Sequence, residues 1–256
     1  MARIVPPAPR VPGRPLVLGH RGASADAPEN TLAAFRLALE QGADGVELDV
    51  WRCATGEVVV HHDEDTRRVA GAALLVPDAS LAALRALDAG AWRGERFRGE
   101  RIPLLAEVLD ALPGAIVNVE LKSRGRDVRL AAAVARVLRA AGAQGRVVVS
   151  SFDWRLAVAF RVAAPEIPVG LLFETAAMRR WLALAVPLLG VSAVHPERTL
   201  AAPERVRRWT GRGLAVAVWT VDDAEEARRL AAAGATALVT NVPARIAAAV
   251  RTPSRT

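Results

Sequence analysis

Residues 16–35 read "LVLGHRGASADAPENTLAAF". A short strand-like run ends in His20 and Arg21, and the turn Pro28-Glu29-Asn30-Thr31 then opens an Ala/Leu-rich segment of helical spacing. This is one strand followed by one helix, with a titratable ring and a fixed cation at the strand's carboxyl end. Repeated along a chain, such units build a parallel sheet with helical crossovers.

The unit does repeat. Further strand-like runs are "GVELDV" (45–50), "AIVNVEL" (115–121), "RVVVSSF" (146–152), "PVGLLF" (168–173), "SAVHP" (192–196), "AVAVWTV" (215–221) and "ALVT" (237–240), eight in all with the first. Helical stretches are expected at Thr31–Gln41, Asp127–Ala141, Trp154–Ala163, Ala176–Val186, Pro203–Arg212, Asp223–Ala233 and Pro243–Arg251. Gly42, Gly142 and Gly234 follow three of them, where a left-handed cap needs no Cβ. Eight such units fit an α/β fold of the (β/α)8 TIM-barrel type better than an open doubly wound sheet. No GxGxxG or GxxxxGK[ST] loop opens a helix, which argues against a nucleotide fold.

One interval is longer than the rest. Between Val50 and Ala115 lie the β-like run "EVVVHHD" (57–63) and a leucine-rich stretch with Trp92 and Phe97. We read a small insertion after the second barrel strand, about residues 53–102, set beside the strand ends where loops carry function. The chain is thus parsed as a Pro-rich leader (1–14), a single barrel (15–251) and a tail (252–256).

At 256 residues, 52% hydrophobic and 24% charged, the chain can bury one large domain. The net charge of +7 comes from 33 arginines and one lysine scattered through the helical stretches, with no tyrosine and no aromatic-basic interleaving, so no nucleic-acid partner is expected. Cys53 is alone and reads as a small buried hydrophobe. The leader has prolines where a secretory signal needs its apolar core, and the run Trp181–Val194 is interrupted by Pro187. The expectation is a soluble cytoplasmic protein without a transmembrane segment, its oligomeric state left open.

Two residues apart on a strand, Glu47 and Asp49 point to one side. Two carboxylates in a barrel mouth repel each other unless a cation joins them, whether a divalent metal or arginines of the rim. Glu120 and Lys122 repeat the offset on another strand, as a structural pair or as part of a site. Together Glu47, Asp49 and Glu120 offer three oxygen ligands, which suits one Mg²⁺ or Ca²⁺ and not zinc. His61 and His62 are adjacent and face opposite ways if the strand runs through them; His62, followed by Asp63, is the better candidate. With His20 it supplies two imidazoles for acid-base work, and Arg21 offers a forked donor to phosphate. His195, in "AVHPE", closes another strand, as a structural residue or one turned to substrate.

The motifs "HRGASADAPENTLAAF", "GADGVELDV", "HHD", "VELK" and "WTVDD" resemble, in order and spacing, those of the glycerophosphodiester phosphodiesterases, from about Leu16 to Val250. The resemblance implies a barrel with an insertion after its second strand, and metal-dependent hydrolysis of a glycerophosphodiester to glycerol 3-phosphate and an alcohol. It implies His20 and His62 as the acid-base pair, Glu47, Asp49 and Glu120 as metal ligands, and Arg21 and Lys122 as phosphate contacts. Trp219 becomes a wall of the glycerol pocket, and Glu29 and Asn30 support the reacting groups. Which histidine is the acid, and whether water or the glycerol 2-hydroxyl attacks, stay open. Two places depart from the family pattern: "EDTRRVAG" after Asp63, where a Leu-x-Arg-Thr-Thr-like run is usual, and "VTNVP", where Asp after the Thr is more common. Two other readings remain, a lysophospholipase D-like hydrolase and a non-catalytic barrel that binds phosphate ligands.

Overall fold

Short valine- and leucine-rich runs, buried on both faces, set the sheet. The structure, a computed structural model, describes residues 7–122, 127–178, 180, 186 and 189–251. The strands are β1 (Leu16–His20), β2 (Gly45–Arg52), β3 (Val58–Val60), β4 (Ile116–Leu121), β5 (Val147–Ser151), β6 (Val169–Phe173), β7 (Ala193–Pro196), β8 (Ala215–Val218) and β9 (Ala237–Thr240). Among the described residues, all but β3 pair in parallel in the order β1-β2-β4-β5-β6-β7-β8-β9, and β9 pairs back onto β1 to close the barrel. Helices α1 (Leu32–Glu40), α4 (Leu105–Ala111), α5 (Val128–Ala140), α6 (Trp154–Ala163), α7 (Pro203–Thr210), α8 (Ala224–Ala232) and α9 (Pro243–Arg251) lie between or after the strands. Most of the helix expected at Ala176–Val186 lies outside the described residues.

Side-chain alternation explains where charge can sit. On β2, Val46, Leu48 and Val50 face the helices within the main hydrophobic core, as do Val117, Val119 and Leu121 on β4. The intervening residues, Glu47, Asp49, Asn118 and Glu120, therefore face the barrel interior. Thr31 starts α1 because its hydroxyl oxygen accepts from the Ala34 amide at 3.3 Å, and Asp153 and Asp223 cap α6 and α8 in the same way. At the other end of the barrel, Ala8 packs against Val148, Ala193 and Ala215.

β2 extends beyond the barrel, and its last residues pair antiparallel with β3, Val50 opposite Val60. The short helices α2 (Arg67–Ala70) and α3 (Leu81–Arg85) follow. Trp51, Cys53, Val59, Val76, Leu84, Ala89 and Ile102 form a separate small core under this segment. Trp92 stays 43% exposed at its edge.

Candidate active site

Strand register gathers the acidic residues. Asp49 lies opposite Glu120 across the β2–β4 pairing, and His20 lies opposite Glu47 across β1–β2. Glu47, Asp49 and Glu120 are buried, and each brings an oxygen within 4.8 Å of the others. Lys122 Nζ lies 3.0 Å from Asp49 Oδ1 and 2.5 Å from Glu120 Oε1, while Arg21 Nε lies 3.4 Å from Asp49 Oδ2. The Asn30 side-chain amide also donates to Asp49 at 2.9 Å.

The charges do not balance evenly. Burial pushes the Asp49 carboxyl up, but Lys122 and Arg21 outweigh it and hold the group well below the usual range. Glu47 accepts from the Arg21 backbone N–H at 3.2 Å but forms no salt bridge to a lysine or arginine among the described residues; burial, then the charges of Asp49 and Glu120, raise its carboxyl well above normal against the weaker pull of Arg21 and Lys122. Burial and Asp49 likewise push Glu120 up to about 7. Three buried carboxyl groups within reach of one another, two of them raised by burial and by their neighbours' negative charge, form an all-oxygen set with no thiolate that fits a hard divalent cation.

The two imidazoles are pinned from behind. His20 Nδ1 lies 2.8 Å from Asn241 Oδ1, and the Asn241 side chain donates its N–H to Asp222 Oδ2 at 2.7 Å, which fixes the amide orientation. The Asn241 oxygen therefore accepts, His20 Nδ1 carries the proton, and the Nε2 lone pair faces inward, 3.9 Å from Glu47 Oε2. His62 Nδ1 donates to Asp63 Oδ1 at 2.7 Å. Burial raises the Asp63 carboxyl, but its bonds from Arg68 and His62 outweigh this and hold it at about 2. Burial lowers both imidazoles, with Arg21 adding to the effect at His20. β3 ends at Val60, so the two adjacent histidines part on a loop and not by strand alternation: His61 turns to the Asp65 carbonyl at 3.0 Å.

Arg21 and Asn30 both adopt φ of 57°, the left-handed region that costs a non-glycine residue energy, and the Asn30 amide donates to the Arg21 carbonyl at 2.9 Å. At Gly22, with φ of 89°, a Cβ would stand 2.5 Å from the Ala34 backbone, so only glycine lets α1 close on this loop. Arg21 then reaches Glu29 at 2.9 Å, and Glu29 receives a two-point bond from Arg68 at 2.6 and 2.7 Å. Alternating charges thus run unbroken from Asp63 through Arg68, Glu29, Arg21, Asp49 and Lys122 to Glu120.

These groups surround a hollow of ≈ 150 Å³ at the carboxyl ends of the strands, lined by His20, Arg21, Glu47, His62, Glu120, Lys122 and Trp219, with Asp49 behind them. Trp219 stands edge-on to Phe152 with ring centres 5.5 Å apart, and its indole N–H donates to the His195 carbonyl at 2.9 Å. The His195 ring lies against Gly170, where a Cβ would meet its Nε2 at 2.5 Å. All eight expected site residues therefore converge. Phe152, Asp63, Arg68, Asp222 and Asn241 are additions; the departure from the family pattern at "VTNVP" marked the place of the last.

The glycerophosphoryl diester phosphodiesterase family description matches residues 20–245. A glycerophosphodiester phosphodiesterase of Caldanaerobacter subterraneus subsp. tengcongensis is 36% identical over 236 residues, covering 89% of this chain and 94% of the relative. A glycerophosphodiester phosphodiesterase of Bacillus subtilis is 31% identical, covering 91% and 85%. An Oleispira antarctica phosphodiesterase, solved in complex with the product sn-glycerol-3-phosphate, superposes with a TM-score of 0.85 at 31% identity over 92% of this chain and 96% of that one.

Proposed function

The chain belongs to the glycerophosphoryl diester phosphodiesterase family and is a phosphoric diester hydrolase, and on that premise we propose that His20 and His62 transfer the protons of glycerophosphodiester hydrolysis beside one divalent cation. Glu47, Asp49 and Glu120 would hold the cation, Mg²⁺ or Ca²⁺. When bound it supplies positive charge against the phosphodiester oxygens.

Arg21 and Lys122 hold and neutralise the phosphate from the protein side. His20, whose Nδ1 proton is committed to a neutral amide, presents a lone pair at Nε2 and takes a proton from the attacking water, or from the glycerol 2-hydroxyl, in which case water then opens the cyclic phosphate. His62 is backed by the Asp63 carboxylate, which stabilises an imidazolium, and gives its proton to the departing alcohol oxygen. Trp219 and Phe152 wall the glycerol half. The observation that carries this reading is the pair of Nδ1-anchored imidazoles facing one hollow with the three acids.

We propose a cytoplasmic location, with which a single buried free cysteine is compatible. Among the described residues no helix is long and apolar enough to cross a membrane. The test is release of glycerol 3-phosphate from glycerophosphodiesters by purified protein; either histidine replaced by alanine should lower turnover by about 10² to 10⁴ with the fold intact. A fully active His62→Ala protein removes this assignment.

A further inference from the structure

The hollow has two unlike sides. In the closed order β1-β2-β4-β5-β6-β7-β8-β9, β6 stands four strands from β1 and β7 four from β2, so each pair lies across the barrel. His20, Arg21, Glu47, Glu120 and Lys122, on or just after β1, β2 and β4, make the charged side. Leu172 on β6, Glu174 just after it and His195 on β7 line the opposite side, flanked by Phe152 after β5 and Trp219 after β8.

On that second side the polar groups are uncommitted. The Glu174 carboxylate is exposed at the rim and forms no hydrogen bond or ion pair among the described residues. Leu172 lies opposite His195 in the β6–β7 pairing, so Glu174, two residues on, stands nearer the mouth than the imidazole. His195 is 3% exposed, its ring packs on Gly170, and no group bonds its nitrogens among the described residues. Neutral by burial, it offers one N–H and one lone pair. Asn118 Oδ1, buried without a partner, lines the same hollow from β4. Buried polar atoms left unpaired cost free energy that a bound hydroxyl recovers. A hydroxyl both donates and accepts, which suits a carboxylate and a neutral imidazole together, whereas a trimethylammonium group has no hydrogen to give either.

We propose that Glu174 and His195 bind the terminal hydroxyl of the substrate's glycerol half and set specificity for it. The proposal rests on the phosphodiesterase reading above, which places the glycerol half between Trp219 and Phe152, the two residues that flank this side. Arg21 and Lys122 hold the phosphate across the barrel, and the 2-hydroxyl sits next to it. The terminal hydroxyl is therefore the part of the glycerol half that reaches Glu174 and His195. An ester in its place brings no O–H to donate.

The test compares choline release from glycerophosphocholine and from 2-hydroxypropyl phosphocholine, which lacks only the terminal hydroxyl. Wild type should favour the first by about 10-fold or more in kcat/KM, the range a hydrogen-bonding pocket achieves. Glu174→Ala, at an exposed position that leaves the fold intact, should raise KM for glycerophosphocholine about 10-fold with kcat little changed, and should narrow the margin over the deoxy substrate by the same factor. His195→Phe, which keeps a ring against Gly170 without its nitrogens, should act in the same direction. The Glu174→Ala loss should be equal on the glycerophosphodiester of p-nitrophenol, whose leaving group carries no cation. Equal turnover of the two choline esters by wild type, an unchanged margin in Glu174→Ala, or a loss confined to the choline ester overturns the proposal while the phosphodiesterase reading stands. No release from any diester by wild type, with cation added, overturns that reading and this assignment with it.

Discussion

Asn241 Oδ1 lies 2.8 Å from His20 Nδ1, across 221 positions of sequence, and the carboxylate of Asp222 holds that amide in place. The contact decides which nitrogen of His20 carries the proton, and so which one is available in the hollow.

Replacing Asn241 by alanine should release the ring and its tautomer. The expected result is a loss of about 10- to 100-fold in kcat, the cost usually seen when an orienting partner of a functional histidine is removed, with KM little changed. Steady-state kinetics beside a thermal melt check this; a wild-type kcat would show that the amide does not position His20.

The unequal partners of the two histidines make a second, sharper expectation. If His62 protonates the departing alcohol, a glycerophosphodiester whose leaving group is p-nitrophenol needs no such help. His62→Ala should then lose far less activity on that ester than on glycerophosphocholine, by about 10²-fold or more. His20→Ala should lose equally on both. The reverse pattern would exchange the roles.

His195 carries a pH signature of its own. Burial alone pushes its imidazole from 6.5 down to about 4, so the fold holds it neutral. Between those values the unfolded chain binds the proton and the native state does not. Its contribution to stability is therefore complete above about pH 6.5 and is lost as pH falls toward 4, on the order of 3 kcal/mol in total. Raised carboxyls such as Glu120 act in the opposite sense, so the informative quantity is a difference. Urea unfolding at pH 7 and pH 5 should show wild type losing more stability than His195→Gln; equal losses would contradict a neutral buried ring.

Much of this was legible in the chain, for identifiable reasons. Val46, Leu48 and Val50 alternate with Glu47 and Asp49, and charged residues interrupt a buried run only where they have a use, so both the strand and the site show in one stretch. "AVAVWTV" reads as a strand to 221, yet β8 ends at Val218 and Trp219 turns to cover the hollow. Local pattern says nothing of contacts such as His20–Asn241 or Glu29–Arg68, which exist only once β9 has paired with β1 and the insertion has folded back. Likewise the order Asp63-Arg68-Glu29-Arg21 is a three-dimensional sequence of charges, invisible as a spacing.

The most direct measurement is cation binding and activity on the same stripped protein. Titrating Mg²⁺ or Ca²⁺ into chelator-treated wild type should show one bound ion per chain, releasing protons as Glu47 and Glu120 surrender theirs, and should restore glycerol 3-phosphate release in step. Glu47→Gln should weaken both together. Full turnover in excess EDTA, or binding unaltered by Glu47→Gln, would contradict the account.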